Sequence, residues 1–343
     1  MRLCYNANVL AKGTVMKYQS ILGLLDTEIA IKYIKDLFEK ELAKALKITR
    51  VSAPLFVFPE TGLNDNLNGV ERAVRFDVLD LGKEVEIVQS LAKWKRMALH
   101  KYGFKSGEGF YTDMNAIRRD ETLDAIHSVY VDQWDWEKII TEKDRTLGYL
   151  KRTVKIIYKT VYKVSEAVSK KYPELKNELP KEITFISTKQ LEKDYPDLSR
   201  KERENAATKK YGAVFIYQIG WNLKDGAPHD GRAADYDDWK LNGDILLWYD
   251  VLGIALEISS MGVRVNAESL RKQLKKKKEE YKLENPYCKS VIDGVLPLTI
   301  GGGIGQSRLC MFMLKKAHIG EVQASVWSEK HLEEKGAEGI HLL

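Results

Sequence analysis

Residues 299–308 read Thr299-Ile300-Gly301-Gly302-Gly303-Ile304-Gly305-Gln306-Ser307-Arg308. Glycines this dense let backbone approach a ligand or a neighbouring strand closely. Two familiar phosphate loops are excluded. A P-loop ends in Gly-Lys-Ser/Thr, and a Rossmann loop opens an early βαβ unit, whereas this run comes late and ends in Gln306-Ser307-Arg308. The plain expectation is a tight strand-to-helix turn. Arg308 adds to it, because a guanidinium at a helix start beside bare backbone can stack on a purine or pair with phosphate.

Working outward, an apolar helix is expected over 306–314 and a basic helix over 268–281, where Lys275 to Lys278 is followed at once by Glu279 and Glu280. That run reads as a wet helix face rather than a nucleic-acid stripe. Apolar residues recur every three or four positions from Leu147 to Val168, a long helix stopped by Pro173, and also over 26–46. Pro54 marks an extended segment at an edge or interface. Ser199 and Glu202 form a capping box. Strands are expected at 74–78 (half-buried), 85–89, 129–136, 183–186, 213–219, 244–248, 255–259 and 263–265. The order is neither repeated βαβ nor an all-β meander. It predicts an α+β fold with a mixed, mainly antiparallel sheet flanked by helices.

The chain has 343 residues, 44% of them hydrophobic, and 55 basic against 49 acidic residues spread along its length. One domain is expected over 16–343 with a helical insertion at about 144–210, preceded by an extension at 1–15, since Met16 offers a second start. Three cysteines, Cys4, Cys288 and Cys310, are too few and too irregular for a disulfide framework or zinc site. No run approaches the ~20 apolar residues of a membrane span. A cytoplasmic protein without membrane or nucleic-acid partners is expected.

Three further features can carry chemistry. Alternation from Val129 puts Gln133 and Asp135 on one strand face, a carbonyl and a carboxylate that suit an ammonium group, while Arg118 nearby suits a phosphate. An ordinary surface strand is the plain alternative. A hairpin bringing Asp244 beside Glu257, with Ser259 and Ser260, offers oxygen ligands for magnesium, though solvent exposure is the commoner fate of such residues. Residues 232–239, acidic and aromatic together, read as a turn or a lid over a small polar substrate.

Pro54, the arginine-bearing hairpin from Arg118 to Asp135 and the run Gly303 to Arg308 together resemble the catalytic core of class II aminoacyl-tRNA synthetases. Within that superfamily the strings Asp65-Asn66-Leu67, Gln89 to Arg96, His127 to Glu137, Asp235 to Trp239, Leu241 to Asp244 and Thr299 to Arg308 resemble the ammonia-dependent asparagine synthetase family. The resemblance implies an ATP-dependent ligase for L-aspartate and ammonia that forms a β-aspartyl-adenylate, uses Mg2+ and assembles as a homodimer. It implies that Arg118 holds the α-phosphate and Arg308 the adenine and triphosphate, with Arg119 an alternative to Arg118. Glu257, Asp244 and Ser260 would ligate magnesium, and Gln133 and Asp135 would grip the substrate amino group. Ser90, Lys95, Arg232 and Asp237 would line the rest of the aspartate pocket, with Asp65 near the reacting carboxyl. Two rivals are a tRNA-charging enzyme, for which no RNA-binding module is visible, and a non-catalytic binding relative, which would not need Arg118, Glu257 and Arg308 together.

Overall fold

The computed structural model describes residues 18–65, 67, 71–176 and 178–343. Cys4, Met16 and Asn66 lie outside them, as does the expected extension at 1–15. The strands are β1 (Thr49–Arg50), β2 (Phe56–Val57), β3 (Arg75–Val78), β4 (Lys83–Ile87), β5 (Gly109–Ile117), β6 (Tyr130–Ile139), β7 (Thr184–Ser187), β8 (Ala213–Tyr217), β9 (Asp237–Tyr249), β10 (Ile254–Arg264) and β11 (Thr299–Gly305). The helices are α1 (Leu24–Leu46), α2 (Ala92–Lys101), α3 (Leu147–Lys171), α4 (Thr188–Asp194), α5 (Arg200–Tyr211), α6 (Ala267–Lys277), α7 (Pro286–Ile292), α8 (Gln306–Met313) and α9 (Glu329–Glu338).

A central sheet runs β1-β5-β6-β11-β10-β9-β8-β7, antiparallel throughout except for the parallel edge pairs β1–β5 and β7–β8. This is the α+β arrangement expected from the order of elements. The amphipathic stripes of α1 and α3 pack into one core with Trp134 and Trp136 of β6; Phe38 of α1 lies 4.7 Å, centroid to centroid, from Trp134. That burial draws the even-numbered side chains of β6 into the core. Its odd-numbered Gln133 and Asp135 therefore face the other way. The capping box at Ser199 and Glu202 forms with both of its hydrogen bonds. No helix among the described residues is long and apolar enough to cross a membrane.

Several elements differ from expectation. Residues 301–303 are not in a turn but in the middle of β11, paired on both sides. The expected strands at 255–259 and 263–265 are one strand, β10, because a bulge between Glu257 and Ser259 absorbs the change of phase. Asp244 does not open a strand: β9 begins at Asp237, so part of the acidic aromatic segment is strand rather than loop. The stretch around Phe76 is a strand but not half-buried. It pairs only with β4 in a separate small sheet, β2-β4-β3, and leaves Phe76 38% exposed. Cys288 is buried in α7.

Candidate active site

A cavity of about 420 Å³ is lined by β6, β11 and β10, by the start of the α2 region, and by the segments around Arg118 and Arg232. The glycines of β11 create its floor by occupying no space. A Cβ at Gly301 would overlap the Glu137 carboxylate, one at Gly303 would overlap Gln133 Oε1 and come within 2.8 Å of Asp135 Oδ1, and one at Gly302 would meet Met261 Cβ at 2.5 Å. Three polar side chains of β6 therefore cross over β11, and only bare backbone accommodates them.

Over this floor runs a chain of buried charges. Lys95, delivered by α2, donates to Asp135 Oδ2 at 2.9 Å and to the Gly302 carbonyl at 2.8 Å, and lies 3.9 Å from Glu137. Glu137 is fully buried; it accepts from Arg264 at 2.7 Å and from Thr299 Oγ1 at 2.6 Å, and Arg264 also pairs with Asp237. Burial by itself would raise Glu137, but Arg264, Lys95 and Thr299 together outweigh it and hold the carboxyl low, whereas burial keeps Asp237 raised against the pull of Arg264. Burial lowers the Lys95 ammonium. Two cations, Lys95 and Arg264, face three carboxylates, Asp135, Glu137 and Asp237, so the set carries one net negative charge in formal terms. Asp135 Oδ1 is buried without a hydrogen-bond partner. An uncompensated, partly unsatisfied carboxylate is a strong attractor for a ligand cation.

Arginines line the same cavity. Arg118 follows β5, fixed by its N–H donating to the Val129 carbonyl at 2.8 Å, and its Nε is buried with no hydrogen-bond partner. Arg119 lines a second, neighbouring cavity instead. Arg308, in the first turn of α8, donates to the carbonyls of Ile126 at 3.3 Å and Glu257 at 3.1 Å. The start of α8 is anchored by Asp132, which accepts from the Ser307 N–H at 3.0 Å and from Lys35 of α1 at 2.9 Å.

Of the residues expected at the site, Asp65, Ser90, Lys95, Arg118, Gln133, Asp135, Arg232, Asp237, Glu257, Ser260 and Arg308 all line this cavity; Asp244 does not. Asp244 pairs in register with Ser260, and Glu257 with Leu246, so the hairpin does not set the two carboxylates directly opposite each other. Asp244 instead lies behind Arg232, which binds it. Burial pushes the Asp244 carboxyl up, Arg232 pulls it back and Glu257 adds to the rise. No cluster of three metal-ligating side chains occurs among the described residues. Glu257 and Ser260 nevertheless present oxygens to the cavity, with the unpartnered Asp244 Oδ1 behind them. That donor set fits magnesium, which takes one or two carboxylates and completes its shell with phosphate and water.

Asp65 is 5% exposed; one oxygen accepts from the Leu67 N–H at 3.0 Å and Oδ2 has no hydrogen-bond partner. Burial raises its carboxyl to about 6, opposed by Lys93 and aided by Asp235. Lys93 and Asp235 form a buried pair at 3.2 Å. Sequence reasoning gave no role to Glu137, Arg264, Asp132, Lys93 or Asp235. For Arg264 a signal existed: a lone arginine between Val263 and Val265 in an apolar strand requires a buried partner.

The chain matches the family model described as "Aspartate-ammonia ligase" over residues 25–339. Proteins named aspartate–ammonia ligase from Bacillus cytotoxicus and Bacillus anthracis are each 58% identical to it over 325 residues, covering 95% of this chain and 99% of theirs. Among solved structures, asparaginyl-tRNA synthetase of Pyrococcus horikoshii complexed with asparaginyl-adenylate superposes with a TM-score of 0.64 at 17% identity, over 88% of this chain and 70% of that one. The Entamoeba histolytica asparaginyl-tRNA synthetase in complex with asparaginyl-adenylate gives 0.61 at 16% identity, over 88% and 66%. These two establish the class II synthetase fold, and the closer sequence relatives go further: the chain belongs to the aspartate–ammonia ligase family.

Proposed function

We propose that the cavity activates the β-carboxylate of L-aspartate with ATP and passes it to ammonia, giving L-asparagine, AMP and pyrophosphate. The observation that carries this reading is the buried set of Lys95, Asp135, Glu137, Arg264 and Asp237, with its net negative charge and the unpartnered Asp135 Oδ1, in a cavity that Arg118, Arg232 and Arg308 also line. An amino acid with one cationic and two anionic groups matches a site that offers both signs of charge.

In this reading Asp135 and Gln133 take the substrate ammonium, and Ser90, Lys95, Arg232 and Asp237 enclose the remainder of aspartate. A carboxylate is a poor electrophile because its leaving group would be oxide, and adenylation supplies AMP as the leaving group. In this reading Arg118 neutralises charge developing at the α-phosphate and Arg308 holds the adenine and triphosphate, so that in-line attack by the β-carboxylate displaces pyrophosphate. Glu257 and Ser260, backed by Asp244, would hold magnesium, which would offset the charge of the phosphates. Asp65 then accepts a proton from ammonium as it desolvates, leaving a neutral amine to attack the acyl-adenylate.

The reading takes 16–343 as one ligase domain onto which the segment 144–210 is built. In support, β7 from that segment pairs with β8 at the sheet edge, and α3 shares the core of α1. The decisive assay is exchange of labelled pyrophosphate into ATP with each amino acid. Exchange that depends on aspartate, followed by asparagine on addition of ammonium, is the expected result. Exchange with asparagine in preference to aspartate would overturn it.

A further inference from the structure

We infer that ammonium binds between Asp65 Oδ2 and Gln89 Oε1, and that it arrives through a second cavity separate from the one that takes aspartate and nucleotide. That cavity, of about 560 Å³, is lined by Asn64, Ala73, Arg75, Glu86 and Gln89 among others, and it shares Asp65 and Glu71 with the first cavity. Asp65 and Glu71 are therefore the side chains at which the two spaces meet, and of these Asp65 carries a buried oxygen without a hydrogen-bond partner.

Asn64 fixes the local geometry. Its Oδ1 accepts from the N–H groups of Asp65 at 3.0 Å and Gln89 at 2.8 Å, and its Nδ2 donates to the Ile87 carbonyl at 3.0 Å. Gln89, 1% exposed, donates its Nε2 to the Asp65 carbonyl at 3.0 Å, and this bond identifies Oε1 as the free end of the amide. Asp65 Oδ2 and Gln89 Oε1 are then two deeply buried acceptors, both without hydrogen-bond partners among the described residues. A buried acceptor left unmade is costly, and two such acceptors on residues that line one cavity and are tied by a hydrogen bond, one of them a carboxylate, select a small ligand that only donates. Ammonium is such a ligand. Lys93 does not compete for the place, because Asp235 already holds it. The separate approach matters because aspartate and ATP must be enclosed before the amine attacks; the last reactant then needs a path the first two do not block.

The inference rests on the ligase reading above, and the test separates the two. Gln89→Met removes the amide acceptor at similar length, and Ala73→Trp fills the second cavity from its wall. Each is expected to raise the KM for ammonium at least about tenfold, the loss of one hydrogen bond to a charged group in the first case. Pyrophosphate exchange with aspartate, which needs no ammonium, should proceed in both. An unchanged ammonium KM in Gln89→Met overturns the site, and an unchanged one in Ala73→Trp overturns the route. Absence of aspartate-dependent exchange in the unaltered protein would instead remove the ligase reading. Should Gln89→Met fail to fold, Gln89→Glu, which keeps the size of the side chain and changes its charge, takes its place: an unchanged ammonium KM in it overturns the site, while Ala73→Trp still decides the route.

Discussion

Lys95 Nζ stands 2.9 Å from Asp135 Oδ2, so one oxygen of this carboxylate is held from below while the other, Oδ1, is left for a ligand. Asp135→Asn keeps the shape and removes the charge. It is expected to raise the KM for aspartate by tens to thousands of fold, corresponding to roughly 2–5 kcal/mol for a buried charge-assisted bond, with the KM for ATP little changed. Exchange kinetics at varied aspartate and varied ATP check this, and an unchanged aspartate KM would take Asp135 out of the site.

The glycines of β11 should separate activity from stability. Gly303→Ala pushes against Gln133 and Asp135 at the cavity and is expected to lower kcat/KM for aspartate about a hundredfold while the protein stays folded. Gly301→Ala pushes against the fully buried Glu137 and its bonds to Arg264, and should cost about 1–3 kcal/mol of stability or more. Thermal unfolding beside kinetics distinguishes the two; equal stability loss in both would contradict the assignment.

Asp65 sets a pH dependence whose sign follows from its raised carboxyl. The folded protein holds this proton up to about pH 6, against 3.8 for the ordinary group. The folded state thus binds more protons between these values, and stability from this residue is present below the lower value and lost as pH rises through the higher. Asp65→Asn should therefore be more stable than the unaltered protein at pH 7, by roughly 1–3 kcal/mol, while losing asparagine formation. The same titration predicts that the ammonium-dependent rate of the unaltered protein falls below about pH 6. Denaturant titration at two pH values and a pH–rate profile test both parts.

A homodimer is expected, with α1 and the Pro54 segment at the interface. In the chain by itself Leu25 is 73% exposed, and Leu24, Ile29, Leu55 and Phe56 are exposed with it, a group of apolar side chains on the elements in question. Light scattering should give the mass of two chains, and Leu25→Glu should weaken association. A monomer with full activity at micromolar concentration would refute the assembly.

Free ammonia, not glutamine, is expected as the nitrogen donor. A glutaminase that works through a thioester needs a reactive thiolate, whereas the two cysteines among the described residues, Cys288 and Cys310, are buried and burial pushes both thiols up to about 12. Asparagine formed from glutamine as fast as from ammonium, and abolished selectively by a Cys→Ser change, would overturn this.

What the sequence disclosed depended on periodicity. The stripe from Leu147 to Val168 is α3, and the alternation that sets Gln133 and Asp135 together holds in β6 because Trp134 and Trp136 claim the core side. What it concealed depended on pairing across the fold. Glu137 meets Arg264 across more than a hundred positions, and neither shows its partner in its own neighbourhood. The glycines misled for a physical reason: they read as conformational freedom, yet Gly301, Gly302 and Gly303 lie in an extended strand and serve by vacating space. Asp244, expected among the magnesium ligands, does not line the cavity, and its place behind Arg232 was not legible because that pairing joins a loop to a strand.

A floor made of backbone has an evolutionary corollary. Where a pocket is bounded by side chains, selection can widen or narrow it one substitution at a time. At Gly301, Gly302 and Gly303 every replacement adds atoms where Glu137, Met261 and Gln133 already stand, so no graded series of variants leads away from the present shape. A descendant that came to accept a different acid would have to acquire that preference from the overhanging parts, the start of α2 or the segment around Arg232, leaving the strand beneath unaltered.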